Sequence, residues 1–99
     1  MMKKLIVLCC AVFVLPVLAA EPDMGKYNKS CAVCHASGAA GAPKTGDVPA
    51  WEPRMGKGMD ALVAAVNNGL NAMPPKGMCF DCSDEEYAAL IDYMAKAAK

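Results

Sequence analysis

Apolar residues fall into two regimes along the chain. From Leu5 to Ala20 they run on without a charge, broken only by Pro16, behind a short basic start of Met1-Met2-Lys3-Lys4. Beyond that run they recur at helical spacings. Tyr27, Cys31 and Cys34 follow at intervals of four and three, which puts them on one face of a helix over about residues 24–34. Leu62, Val63 and Val66 form an apolar stripe on a second helix over residues 60–68, with Gly69 as its C-terminal stop. Tyr87, Leu90, Ile91 and Met94 mark a half-buried last helix from Asp84 to about residue 97. Ser83 and Glu86 have the spacing of a capping box at its start, and its first turn is acidic, as the helix dipole favours. Between these elements, residues 36–49 are rich in Gly, Ala, Ser and Pro and read as a long loop. Residues 70–77 read as a second loop, stiffened by Pro74 and Pro75. No segment alternates with the period of a strand. The class is all-α, with three to five short helices and long connections.

The first regime has a separate meaning. A basic start, an apolar run shorter than the ~20 residues of a comfortable membrane span, and a close on Val17-Leu18-Ala19-Ala20 make the layout of a secretory signal peptide. Residues 1–20 are therefore expected to leave by cleavage after Ala19 or Ala20, taking Cys9 and Cys10 with them. An uncleaved membrane anchor is the alternative. Residues 21–99 form one domain, exported to the periplasm. With Lys3 and Lys4 gone, the ten basic residues fall to eight against ten acidic ones. No basic patch remains, which excludes a nucleic-acid partner. A domain of about 80 residues makes a marginal core alone and usually needs a staple.

The staple is written at Cys31-Ala32-Val33-Cys34-His35, a C-x-x-C-H motif. Two thiols on one helical turn can both add to vinyl groups along one edge of a porphyrin, and His35 then lies under the ring as an iron ligand. This points to one covalent haem c through Cys31 and Cys34. His35 is the single histidine, so the sixth position needs another donor. Met73 is the expected axial partner, because Pro74-Pro75 frame it and its loop lies far enough along the chain to cover the distal face. Met55, Met59 and Lys76 stay as alternatives, whereas Met94 belongs to the core face of the last helix. A Met/His pair leaves no open place for substrate, which suits one-electron transfer rather than enzymatic chemistry. The Pro43 carbonyl either accepts the free ring N–H of His35 or belongs to a plain turn proline. Trp51 and Arg54 are either core and surface, or a pair whose indole N–H and guanidinium reach a buried carboxylate such as a haem propionate. Cys79 and Cys82 have no adjacent His, and outside the cytosol they are expected to form a disulfide. The rival, four cysteines on zinc, is disfavoured by the long spacing between the pairs.

These residues together resemble a small class I c-type cytochrome, most like the bacterial cytochrome c5 type. The resemblance rests on Tyr27 ahead of Cys31–His35, Gly41-Ala42-Pro43-Lys44, Trp51-Glu52-Pro53-Arg54, and above all Ala72-Met73-Pro74-Pro75-Lys76-Gly77 followed by Cys79-Phe80-Asp81-Cys82. It implies helices wrapped around one haem, axial His35 and Met73, the Pro43 carbonyl on His35, and a Cys79–Cys82 disulfide. Tyr27 would pack in the crossing of the first and last helices with Leu90 and Tyr93. The implied function is a periplasmic electron carrier, expected as a monomer with a dimer left open. Its partners would dock transiently: a quinol-oxidising complex or dehydrogenase as donor, a terminal oxidase or reductase as acceptor. Any membrane contact would come through partners or an uncleaved N-terminus. The alternative is a haem relay tethered to, or held within, a larger membrane redox complex.

Overall fold

Ser83 and Glu86 close the last helix as their spacing predicts. The Ser83 hydroxyl accepts the Glu86 N–H at 3.2 Å, and the Glu86 carboxylate accepts the Ser83 N–H at 3.1 Å. In the computed structural model, which describes residues 21–96, this helix runs over Asp84–Ala95 and leaves helical geometry at Lys96. The signal-peptide expectation for residues 1–20, and the end of the predicted last helix at residue 97, lie outside the described residues.

The first helical segment is assembled from three pieces. Helix α1 (Met24–Lys26) is capped by the Asp23 side chain, which accepts the Lys26 N–H. A π-helical turn, Tyr27–Cys31, follows, and helix α2 (Ala32–His35) completes the run. The Ala32 N–H reaches back five residues to the Tyr27 carbonyl, and the buried Ser30 hydroxyl donates to the Lys26 carbonyl. The predicted helix is thus present, with its C-terminal end at His35.

Helix α3 (Val48–Met55) was not expected from the sequence, which reads as loop through residue 49 and assigns residues 50–55 to no element. Pro49 lies in the first turn, where its missing N–H has no intrahelical partner to lose, and Asp47 caps the start. Helix α4 covers Met59–Asn68 and stops at Gly69, whose φ of 84° is the left-handed conformation glycine tolerates. The capped last helix is α5 (Asp84–Ala95). The described residues contain no strand, only one isolated bridge between Leu70 and Met73. No helix among them is long and apolar enough to cross a membrane.

Tyr27, Trp51, Leu90, Ile91 and Met94 form the buried cluster, so α5 meets the π-helical turn on one side and α3 on the other. Tyr27 packs edge-on against Tyr93, with ring centroids 5.2 Å apart, and its hydroxyl pairs with Thr45 Oγ1 at 2.7 Å. The α4 stripe of Leu62, Val63 and Val66 packs only on the edge of this cluster, and no residue of α4 is buried. Polar ties complete the frame. The Gly46 N–H donates to the Met94 carbonyl at 2.7 Å, and Lys26 Nζ reaches both Glu86 Oε2 at 2.6 Å and the Asp81 carbonyl at 3.0 Å. The buried Tyr87 hydroxyl donates to the Cys79 carbonyl at 2.7 Å.

Two predictions follow from these ties. Tyr87→Phe leaves the Cys79 carbonyl with only the longer bond from the Cys82 N–H at 3.4 Å, and urea titration should show a loss of about 0.5–1.5 kcal/mol. The second concerns pH. Hydrogen bonding to Lys26, with help from the Ser83 N–H, holds the Glu86 carboxyl below its ordinary range, and Lys26 is raised by the same hydrogen bond. A depressed carboxyl adds stability above its unfolded pKa and loses it as pH falls through the folded one. Lys26→Met should therefore lower stability modestly at neutral pH, leave it little changed once Glu86 is protonated, and so flatten the acid limb of a stability-against-pH curve.

Candidate haem-binding site

Between the end of α2 and the loop after α4 lies a cleft open to solvent. One wall carries Cys31, Cys34 and His35, a second carries residues 39–43, and the third carries residues 70–74 with Gly77 and Met78; Arg54 closes a corner.

His35 is buried and held on two sides. Its Nδ1 lies 2.8 Å from the Pro43 carbonyl oxygen. A carbonyl only accepts, so Nδ1 carries the proton and Nε2 is left as the bare donor a metal needs. Of the two readings of Pro43, the carbonyl acceptor is the one present. The Trp51 ring lies beside the imidazole, with centroids 5.6 Å apart and planes tilted by 33°. The His35 carbonyl accepts the Thr45 N–H at 2.8 Å, which ties the helix end to the loop that carries Pro43.

Trp51 and Arg54 differ from the paired role considered for them. The Trp51 indole N–H donates to the Lys44 carbonyl at 2.8 Å, so it is not a spare donor for a propionate, and the ring braces His35 instead. Arg54 does line the cleft, while one guanidinium N–H returns to the Ala50 carbonyl on its own helix. Its other N–H groups are the polar donors of that corner.

Cys31 and Cys34 are free thiols, each partly exposed. Burial pushes the Cys31 thiol up, which disfavours the thiolate form that metal coordination needs. Cys79 and Cys82 are joined as a disulfide. Asp81 completes a group of potential ligand atoms there, but sulfurs bonded to each other are not thiolates, and the four-cysteine zinc arrangement does not exist in this fold.

Among the candidates for the sixth ligand, Met73 lines the same cleft as His35. Met55 and Met59 pack on the edge of the core instead. The Lys76 ammonium is engaged by Asn67 Oδ1 at 2.9 Å. Met78, which had no rigid sequence frame to recommend it, also lines the cleft. It stands between Gly77 and the disulfide cysteine Cys79 with a backbone φ of +67°, and no side-chain pattern signals that. An imidazole nitrogen, a thioether sulfur, two free thiols and a largely small and apolar wall make a donor set that fits a haem.

Known proteins resemble this chain in sequence and in fold. Residues 20–94 match the family described as "Cytochrome C oxidase, cbb3-type, subunit III". Cytochrome c5 of Azotobacter vinelandii is 51% identical over 69 residues, covering 68% of this chain and 83% of that protein. The structure of a mono-haem ferrocytochrome c from Shewanella putrefaciens superimposes with a TM-score of 0.68 at 53% identity, covering 82% of this chain and all of that one. A structure of an electron-transfer complex of nitrite reductase with cytochrome c gives a TM-score of 0.67 at 42% identity, covering 76% of this chain and 95% of that one. The chain therefore belongs to the class I c-type cytochromes, electron carriers with one haem c held covalently through a cysteine pair, and among them it is most like the cytochrome c5 proteins.

Proposed function

We propose that this chain is a periplasmic one-electron shuttle between respiratory complexes. In this reading Cys31 and Cys34 carry the haem thioethers, and His35 and Met73 are the axial ligands. The observation that carries it is that one imidazole, held as its Nδ1–H tautomer by the Pro43 carbonyl, lines the same cleft as Met73. A haem bound there supplies a one-electron couple at iron with both axial places filled. The protein's own part is positional. The Pro43 carbonyl raises the basicity of His35, Trp51 sets its plane, and Arg54 presents N–H donors to anionic groups at the cleft corner. Exposed small residues at 39–41 form one lip of the cleft, where a partner can approach closely and leave quickly.

The apolar leader of residues 5–20 supports export. The likeness to a cytochrome c captured with nitrite reductase supports a terminal reductase as acceptor; the donor in this reading is a quinol-oxidising complex or dehydrogenase. A second reading has its own support. The matched family takes its description from an oxidase subunit, which favours a relay held inside a membrane complex. Fractionation of the native host decides between them: a haem-stained band of the cleaved chain in the periplasmic fraction supports the shuttle, and co-migration with a membrane oxidase supports the relay.

The ligand assignment is tested by Met73→Ala. The variant should keep its covalent haem in a pyridine haemochrome assay and lose the weak near-infrared methionine–iron band. Its potential should fall by on the order of 0.1 V, within the ~0.8 V range that axial ligands command. An unchanged band and potential would assign the sixth position to another residue.

A further inference from the structure

We propose that Gly77 is a positioning residue for the Met73 thioether: its missing side chain forms the notch in which the methionine methyl settles. This inference rests on the proposed axial role of Met73.

The main chain of Met73 is already fixed. Its N–H and carbonyl both pair with Leu70, at 2.9 and 3.0 Å, and Pro74 and Pro75 follow directly. Gly69 backs against this turn so closely that a Cβ there would lie 3.0 Å from both the Met73 carbonyl oxygen and the Pro75 nitrogen. What remains free is the side chain, which has three rotatable bonds and no intrinsic preference strong enough to hold one orientation. A Cβ added at Gly77 would lie 2.8 Å from Met73 Cε, well inside van der Waals contact, and the next atom, Val66 Cγ1, is 3.9 Å away. The methyl of Met73 is therefore what a side chain at position 77 would meet.

Position 77 has little room to retreat. The Gly77 N–H donates to the Pro74 carbonyl at 3.0 Å, and the Cys79 N–H donates to the Lys76 carbonyl at 2.9 Å. Lys76 is anchored through Nζ to Asn67 Oδ1, and Asn67 Nδ2 continues to Asp84 Oδ1 at 2.9 Å, on the first turn of α5. Lys76, Gly77 and Met78 all have positive φ, at 69°, 54° and 67°. Backbone in this region costs an ordinary residue free energy and persists only where surrounding contacts hold it. The segment that forms the notch is thus held from both ends, and a methyl group at 77 is accommodated by displacing the end of Met73. In a free side chain that displacement is cheap. With the sulfur committed to a metal it is not, because Cε is bonded directly to that sulfur.

The test is a double-mutant cycle on the haem-loaded protein with a matched control. Gly58 has a φ of +89° and a Cβ there would meet nothing within 4 Å among the described residues, so Gly58→Ala carries left-handed strain without the contact. Gly77→Ala should displace or abolish the near-infrared methionine–iron band, shift the methionine methyl proton resonance, and raise the affinity for added imidazole about tenfold. Gly58→Ala should leave all three as in the parent. In the Met73→Ala background, adding Gly77→Ala should change imidazole affinity less than twofold. If Gly77→Ala alone fails to hold haem, Met73→Ala/Gly77→Ala should recover it, because the clashing methyl is gone. Identical behaviour of Gly77→Ala and Gly58→Ala overturns the proposal, as does an equal effect of Gly77→Ala in both backgrounds or haem loss in the double variant. A band that survives Met73→Ala instead overturns the ligand assignment beneath it.

Discussion

The hydrogen bond from His35 Nδ1 to the Pro43 carbonyl is the constraint from which the site is built. With a single histidine in the chain, its tautomer decides whether the cleft offers a metal donor at all. A backbone carbonyl cannot donate, so the proton is held on the far nitrogen and Nε2 stays free. For that bond to persist, the loop from Ala36 onward must return to the helix it left. It does so because the Thr45 N–H binds the His35 carbonyl, Tyr27 holds the Thr45 hydroxyl, and the Gly46 N–H binds α5 at Met94. Trp51 closes the arrangement, anchored through its indole N–H to Lys44 and laid beside the imidazole. A loop of small residues with little apolar area to bury is held by a ladder of polar ties to elements that do have a core.

The opposite side of the cleft is built by a different device. The Met73 loop has few buried apolar contacts, and left-handed residues follow it at 76–78. Its downstream end is fixed by the Cys79–Cys82 disulfide and by Tyr87, whose buried hydroxyl binds the Cys79 carbonyl. So small a ring removes little chain entropy, about 2 kcal/mol in the loop-closure picture. Its more direct effect is geometric. It makes a rigid corner between the methionine loop and the capped start of α5, so that α5 supports both faces of the site: Met94 receives the proximal loop, and Tyr87 receives the distal one.

Much of this was legible in the residues. C-x-x-C-H states its chemistry through spacing, the α5 stripe through a period of 3.6, and the capping box through two side chains three apart; each is a local rule that tertiary context did not override. Tyr27 and Met94 fell into the core for the same reason. Helix α3 was not legible, because prolines at 49 and 53 look like breakers and only the actual N-terminal register shows that the first is harmless. The partner of the Trp51 indole was not legible either. Its acceptor is a main-chain carbonyl seven residues away, and carbonyls carry no sequence signature. Gly77 and Met78 were hidden for a related reason: what matters at both is a positive φ set by hydrogen bonds at either end of the turn.

The two faces of the cleft therefore differ in what a substitution can do to them. On the His35 side, the bonds at Thr45, Gly46 and Trp51 together hold the loop that carries Pro43, so losing one of them weakens the loop while the Pro43 carbonyl still selects the tautomer. On the Met73 side, the backbone is fixed but the sulfur of the proposed ligand is two single bonds beyond Cβ, with free rotation about each. Orientation there comes from excluded space rather than from a directional bond. Excluded space is sensitive to one added carbon, whereas a hydrogen-bond ladder is not. A site with one redundant face and one tight face has its ligand exchange set by the tight face, so the properties that vary among such carriers should trace to residues around the methionine more than to those around the histidine.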